Sequence, residues 1–276
     1  GCSRSSQRGS FYRQLSSMKL SVYYVDAFTD KLFSGNPAAV IFSDIKDADL
    51  MQNIASENNL SETAFIKKVD GQYHIRWFAP SCEIDLCGHA TLASAYVYFN
   101  FINPGSTEFE VHSTKNGTLK VILENDLLFL DFPKDSIAPV NENSVEKIIG
   151  NKPLEIYQGR DDILAIVNSE TMVRNLELDF ELLKKINVRG LIVSARGDHC
   201  DFVSRCFFPG TGVNEDPVTG SAHTTLTPYW SKKLNKKELS AMQLSQRGGV
   251  LSCEDKGERI IIGGKAVLYM KGKIYI

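Results

Sequence analysis

The sequence of 276 residues contains no long apolar run, no marked excess of one charge and no paired cysteine motif. No stretch approaches the roughly 18 consecutive apolar residues that a membrane-spanning helix needs. Lys and Arg number 31 and Asp and Glu number 33, a formal net charge of −2. We therefore expect neither nucleic acid nor a membrane as a partner. With 43% hydrophobic residues, the chain can form a soluble globular protein with one large or two small cores.

Cysteine and histidine show no arrangement that is typical of a zinc site. None of the six cysteines forms a Cys-x-x-Cys motif, and the five histidines are not paired with them at ligand spacing. We expect no secretory signal, and a disulfide framework is unusual in a chain of this length. The composition therefore predicts reduced thiols, a cytoplasmic location and no metal.

Residues 1–17 form a separate stretch with three arginines, six serines and no acidic residue, directly before Met18. This composition is typical of an organelle-targeting peptide, but also of a tag remnant or an upstream extension. We favour the remnant or extension because no amphipathic helix emerges. In either case we expect residues 1–17 to lie outside the fold, as a disordered extension, tag or targeting segment.

Short apolar runs after residue 18 predict strands, and one helix interrupts them. From Asp47 to Asn58 the apolar residues fall on one helical face, with Asp47 as N-cap. Strands and helices do not alternate as in a doubly wound parallel sheet, which favours an α+β or mixed α/β class. The predicted strands are Leu20–Val25, Ala38–Phe42, Ala64–Val69 and Tyr73–Phe78.

An internal repeat is the most informative feature. Residues 76–80 read Arg-Trp-Phe-Ala-Pro, and residues 205–209 read Arg-Cys-Phe-Phe-Pro. An x-Gly-x-Ala motif follows each, at 87–90 and 219–222, and then an apolar helix-like segment. The common order favours duplication over chance. It predicts two similar lobes with a ligand cleft between them.

Each predicted lobe begins a helix at a glycine, Gly88 or Gly220. Free N–H groups and the helix dipole bind anions at such a place, and glycine allows close backbone approach. The two glycines could equally serve only as tight turns before core helices. Pro228, inside the second segment, should kink or shorten its helix.

Four polar residues could carry chemistry near these helix starts. Glu62 enters an apolar strand and is either a partly desolvated acid/base or an outward-facing side chain. His89 lies where the helix dipole favours a neutral imidazole that could donate a hydrogen bond or relay a proton. Asp216 and Ser221 precede the second helix, where capping alone would explain them.

Residues 19–276 resemble the phenazine biosynthesis-like (PhzF-type) family, which shares the diaminopimelate epimerase fold. The resemblance rests on four motifs in order. They are Asp-Ala-Phe at 26–28 with Gly-Asn-Pro-Ala-Ala-Val at 35–40, Asn-Leu-Ser-Glu-Thr-Ala-Phe at 59–65, Cys-Gly-His-Ala-Thr-Leu at 87–92, and Glu-Asp-Pro-Val-Thr-Gly-Ser-Ala at 215–222.

The resemblance implies two pseudo-symmetric lobes, each a curled, mostly antiparallel sheet or barrel around a central helix. The central helices would be Ala90–Phe99 and Ala222–Lys233, and the chain end would return to the first lobe. The implied division assigns residues 18–124 and 263–276 to the N-terminal lobe and 125–262 to the C-terminal lobe. A homodimer is also implied.

The resemblance places the family's catalytic carboxylate on Glu62. Its supporting histidine, aspartate and serine fall on His89, Asp216 and Ser221. Substrate binding is expected at the two helix starts and beside them, at Gly88, Ala90, Thr219, Gly220 and Asn36. No cofactor and no metal are expected.

Epimerases of this fold use one cysteine per lobe as bases. Here Cys87 occupies the first place but Thr219 the second, and a threonine hydroxyl is no base near neutral pH. We therefore predict a cofactor-independent isomerase that moves a proton, and with it a double bond, on a small carboxylated substrate. Cys87 is interpreted as a packing residue. A racemase or epimerase and a protein-binding role on a retained enzyme fold stay open as alternatives.

Overall fold

The structure, a computed structural model, describes residues 18–276. The prediction made for residues 1–17 lies outside the described residues. No helix within residues 18–276 is long and apolar enough to cross a membrane.

Eighteen strands and six helices make up the described chain. The strands are β1 Lys19–Ala27, β2 Asn36–Phe42, β3 Glu62–Val69, β4 Gln72–Phe78, β5 Glu83–Ile84, β6 Glu108–Ser113, β7 Gly117–Glu124, β8 Leu127–Pro133, β9 Ala138–Pro139, β10 Glu155–Gln158, β11 Asp162–Ile166, β12 Gly190–Arg196, β13 Phe202–Phe208, β14 Val213–Asp216, β15 Glu238–Gln243, β16 Gly249–Asp255, β17 Arg259–Gly264 and β18 Ala266–Tyr275. The helices are α1 Ala48–Asn58, α2 Gly88–Val97, α3 Asn143–Ile149, α4 Glu170–Arg174, α5 Phe180–Leu183 and α6 Ala222–Leu234. A π-helical turn, Tyr98–Ile102, continues α2, and a 3₁₀ turn covers Pro209–Thr211.

The strand pairing repeats between the two halves of the chain. In the first half β2 pairs parallel with β3, β3 antiparallel with β4, and β4 parallel with β6. In the second half β11, β12, β13 and β15 pair in the same way. The other pairings are antiparallel, including β8 with β17, which joins the halves. The result is a mixed, mostly antiparallel α+β fold.

The ends of the chain meet on one strand pair. Strand β18 pairs antiparallel with β1 from Lys19–Tyr275 to Ala27–Ala266. Strand β8 pairs with β7 on one side and with β17 on the other, so hydrogen bonding is continuous across the predicted lobe boundary. The division at residues 124/125 and 262/263 stays a prediction.

The core surrounds the two central helices. One apolar cluster contains the buried faces of α2 and α6 together with the inner faces of the surrounding strands. A second cluster holds α3, α4 and α5 against the outer face of β11–β13. A third holds α1 against β1–β3, and Asp47 caps this helix by accepting from the amides of Asp49 and Leu50. The predicted N-cap is therefore confirmed.

The repeated Arg-x-Phe-x-Pro motif has a structural reason. The guanidinium of Arg76 forms a two-pronged pair with Glu83, at 2.7 and 2.6 Å, and lies over the ring of Phe78. Arg205 repeats this arrangement with Glu215, at 2.7 and 2.9 Å, and with the ring of Phe207. In each half the glutamate lies five residues before the glycine of the helix start. The pair thus ties the returning strand, and the helix start after it, to the sheet.

The expectation that Pro228 shortens its helix is wrong, because α6 runs through it to Leu234. Proline has no N–H for the carbonyl of Thr224, four residues earlier. That carbonyl accepts from the backbone N–H of Asp135, at 3.3 Å, and Thr225 holds the Asp135 carboxylate at 2.9 Å. A neighbouring segment thus supplies the missing donor.

Candidate functional site

The starts of α2 and α6 face each other at the centre of the fold. A Cβ atom placed on Gly88 would lie 3.8 Å from the Cα of Gly220, and the reverse distance is also 3.8 Å. Neither N-cap residue, Cys87 or Ser221, makes a side-chain capping hydrogen bond, and neither first turn holds an acidic residue. Since the first amides of a helix have no partner within the helix, two positive helix ends meet here without a capping side chain.

Glu62 and His89 form a pair beside these helix starts. Glu62 is the first residue of β3, and His89 the second residue of α2. Oε2 of Glu62 lies 2.9 Å from Nε2 of His89, with side chains only 17% and 6% exposed. Among residues 18–276 this oxygen has no partner of good hydrogen-bond geometry. Glu62 is therefore inward-facing, with an oxygen available to a proton.

The charge state of His89 differs from the one expected for a helix start. Burial opposes a positive charge on the imidazole, but the neighbouring Glu62 carboxylate outweighs it and holds the pKa of His89 above its ordinary value. The helix dipole alone predicted a neutral ring, and the nearby carboxylate reverses that expectation.

Asn36 connects this pair to the second half of the chain. Its Nδ2 group donates to Oδ1 of Asp216 at 2.8 Å and to the carbonyl of Val218 at 2.9 Å. The same group lies 3.2 Å from Nδ1 of His89. The carbonyl of Val218, which cannot donate, fixes the orientation of the amide. Asn36 is fully buried, so it spaces His89 and Asp216 at a set separation.

Asp216 is the second carboxyl group of the site. Burial raises its pKa to about 6, with His89, Thr219 and Asn36 lowering it and Glu62 raising it. The hydroxyl of Thr219 donates to Oδ2 at 2.5 Å. Its bonds to Asn36 and Thr219 explain the position of Asp216 without a capping role.

Cys87 is buried beneath this group, with Sγ 3.4 Å from Nδ1 of His89. Burial first, and then the charge of Glu62, raise the pKa of the thiol to about 11, so it carries its proton at neutral pH. Atoms of Glu62, Cys87 and His89 lie within 4.8 Å of one another, as in a metal site. Glu62 and His89 already pair with each other at 2.9 Å, an arrangement suited to proton transfer, and the expectation of no metal stays a prediction.

The remaining predicted residues surround the helix starts. Ala90 is fully buried in the first turn of α2, and Thr219 is buried one residue before Gly220. Ser221 lies at the N-cap of α6 and is partly exposed. Its backbone carbonyl accepts from Thr224, but its hydroxyl has no hydrogen-bond partner within residues 18–276. The structure thus brings Glu62, His89, Asn36 and Asp216 into one network and leaves the Ser221 hydroxyl outside it. All of the assigned roles stay predictions.

One supporting residue was absent from the sequence prediction. Gln243 is fully buried at the end of β15, accepts from the amide of Thr219 at 2.8 Å and donates to the carbonyl of Asp216 at 2.8 Å. It holds the segment before α6 in place. The sequence signal that could have indicated its burial is the alternating pattern of the strand, in which Leu239 and Ala241 are buried on the same face as Gln243.

Comparison with known proteins supplies the family. Residues 25–272 match the family model described as phenazine biosynthesis-like protein. An uncharacterized isomerase of Pseudomonas aeruginosa is 46% identical over 261 residues, which cover 94% of this chain and all of the relative. A crystal structure of a PhzF-family phenazine biosynthesis protein from Enterococcus faecalis has 47% identity and a TM-score of 0.89, covering 94% of this chain and 100% of its own. The chain belongs to the phenazine biosynthesis-like family, as the sequence motifs predicted.

The α+β fold and the enzyme class are also confirmed. A hydroxyproline epimerase from Agrobacterium vitis, with bound trans-4-hydroxy-L-proline, has a TM-score of 0.61 and covers 94% of this chain and 93% of its own. At 10% identity this likeness concerns the fold alone. The family and the isomerase relative identify the chain as an isomerase.

Proposed function

We propose that this isomerase moves a proton between two carbon atoms of a small carboxylated substrate, with Glu62 as the acid/base. The observation that carries the proposal is the position of the Glu62–His89 pair, 2.9 Å apart, beside two facing helix starts that no side chain caps. A carboxylate of the substrate fits the helix starts, because their free amides and dipoles attract an anion.

The reaction needs only one base. The Glu62 carboxylate takes a proton from carbon, the electron pair of that bond shifts the neighbouring double bond, and Glu62 returns the proton to the carbon at its far end. His89 stabilises the ionised form of Glu62. Asp216, with a pKa raised by burial to about 6, would polarise or orient the substrate. A positioned acid/base contributes roughly 10²–10⁴-fold to such a reaction.

Two-base racemisation is the less favoured reaction. It needs a thiolate at each helix start, whereas burial raises the pKa of Cys87 to about 11 and the second position is Thr219. The Thr219 hydroxyl is engaged with Asp216 at 2.5 Å. No observation within residues 18–276 favours a protein-binding role over catalysis.

The test uses deuterium uptake, because the substrate is unassigned. The protein is incubated in D₂O with a fractionated small-metabolite extract, and mass spectrometry searches for metabolites that gain deuterium. Exchange of the proton on Glu62 with solvent should label one carboxylated metabolite and its isomer. The Glu62→Gln variant should lose this labelling by roughly 10²–10⁴-fold.

Glu57→Gln serves as the matched control. Glu57 is an exposed residue of α1, so its replacement should leave the labelling at the wild-type level. Equal labelling by wild type and Glu62→Gln would remove Glu62 as the base. Label at a stereocentre with loss of chirality would indicate racemisation instead.

A further inference from the structure

Arg247, in the loop between β15 and β16, contacts the segment that leads into Asn36. Its Nη2 group lies 2.7 Å from Oδ1 of Asp26 and donates to the carbonyl of Ser34 at 2.9 Å. Its Nε group donates to the carbonyl of Gly35 at 2.8 Å. The planar guanidinium thus binds one buried carboxylate and two successive carbonyls from two separate nitrogens, a geometry that the single nitrogen of an ammonium group does not reproduce.

The same loop also holds the other side of Gly35. The N–H of Gly35 donates to the carbonyl of Gly248, at 2.7 Å. Gly35 has a φ of +68°, and a Cβ at this position would collide with the carbonyl oxygen of Ala27. Both polar groups of this backbone unit are therefore fixed by residues 247 and 248, in a conformation that only glycine adopts easily.

Asn36 follows directly, as the first residue of β2. Its amide reaches Asp216 at 2.8 Å and His89 at 3.2 Å, so its position depends on the backbone of Gly35. A hydrogen bond lost or misdirected at a buried site shifts the protonation of its partner.

We propose that Arg247 is a positioning residue of the active site, which acts through Gly35 and Asn36 to set the hydrogen bonds of Asp216 and His89. The inference rests on the proposed roles of these residues in proton transfer. Arg247 itself does not reach the reacting groups, and its contribution is the placement of the Asn36 amide between them.

The test is the titration of Asp216, which needs no substrate. Aspartate is labelled with ¹³C in the carboxyl group of the full chain, and the Asp216 signal is assigned by its loss in Asp216→Asn. The groups that face this carboxyl are Asn36, Thr219, His89 and Glu62. Because Asn36 donates to the ionised carboxylate, Asn36→Ala should raise the titration midpoint by about one pH unit.

Arg247→Lys is the informative variant, because it keeps a positive charge opposite Asp26 but loses the fork to the two carbonyls. It should raise the midpoint in the same direction as Asn36→Ala, by about half as much. The His89 imidazole, followed by ¹⁵N NMR, should also titrate higher, since a donor group no longer faces its Nδ1. Arg247→Met should show the full shift, and Arg247→Lys suffices if Arg247→Met does not fold.

Arg259→Lys is the matched control, because Arg259 pairs with Asp131 at 2.9 Å on strands β17 and β8 and is half-exposed. It should leave the midpoint of Asp216 unchanged. A wild-type midpoint in folded Arg247→Lys, or an equal shift in Arg259→Lys, would overturn the proposal. So would an unshifted Asn36→Ala. The titration is independent of turnover, so failure of the proposed Glu62 chemistry would appear in deuterium uptake and not here.

Discussion

The two Arg–Glu pairs of the internal repeat should contribute differently to stability, and each pair serves as the control for the other. Both pairs have the same two-pronged geometry, but Arg205 and Glu215 are only 14% and 22% exposed, against 35% and 43% for Arg76 and Glu83. Arg205 also donates to the carbonyl of Leu176 at 3.0 Å. Removing one partner of a buried pair costs about 3–5 kcal/mol, because the other charge stays unpaired. An exposed pair contributes about 0–1 kcal/mol.

Glu215→Gln should therefore lower the free energy of unfolding by about 2–3 kcal/mol, a value below the fully buried case because both side chains keep some solvent contact. Glu83→Gln should lower it by at most about 1 kcal/mol. Urea denaturation followed by circular dichroism measures both, and a double-mutant cycle with Arg205→Met isolates the pair from other contacts of Arg205. Equal losses for the two variants would refute the argument from burial.

Three further predictions concern the site. Burial raises the pKa of Asp216 from about 3.8 to about 6. The wild type should therefore lose stability relative to Asp216→Asn as the pH rises from about 4 to 6, by about 3 kcal/mol in all. Urea titrations at several pH values measure this difference in the free energy of unfolding, and parallel curves for the two proteins would contradict the prediction. Gly220→Ala should fold, because the added Cβ meets its nearest atoms at 3.7 Å. It should weaken binding of the proposed carboxylated substrate roughly tenfold, because the methyl group covers the helix start. Thermal melting measures the effect on folding, and KM measures the effect on substrate binding. Cys87→Ser should keep turnover within about threefold of the wild type, since burial raises the pKa of the thiol to about 11 and the proposed base is Glu62. Loss of turnover in the folded variant would make the thiol a catalytic group.

Features that depend on neighbouring residues in the chain could be predicted from the sequence. Asp47 caps α1 through amides two and three residues away, and such contacts follow from local spacing. The predicted start of the second helix, Ala222, agrees with the structure, and its end differs by one residue. The first helix begins at Gly88, as the repeat predicted and two residues before the start that the resemblance implied, and a π-helical turn follows Val97. The x-Gly-x-Ala motif of the repeat therefore indicated where both helices begin.

Contacts between distant residues could not be predicted in this way. Asn36 and Asp216 are 180 positions apart, and nothing in the spacing of either motif indicates that one amide joins them. The donor that lets α6 continue through Pro228 is the backbone of Asp135, which has no sequence signal at all. Arg247 lies in a loop, and its partners Asp26, Ser34 and Gly35 are more than 200 positions away in the chain. Each of these depends on how strands pair in three dimensions, which one sequence does not specify.

The internal repeat also bears on the single-base reaction that we propose for Glu62. Glu62 begins β3 opposite Ala38 of the parallel strand β2, and Gly190 begins β12 opposite Asp162 of the parallel strand β11. The two residues therefore occupy equivalent positions, and both precede inward-facing core residues. A Cβ on Gly190 would collide with the ring of Phe208, so the second half has no room for a side chain where the first half carries its carboxylate. Under the proposed mechanism, a proton removed by Glu62 would therefore meet no second carboxylate at the equivalent position of the second half, and its return by Glu62 from the same side would shift the double bond without inverting one carbon.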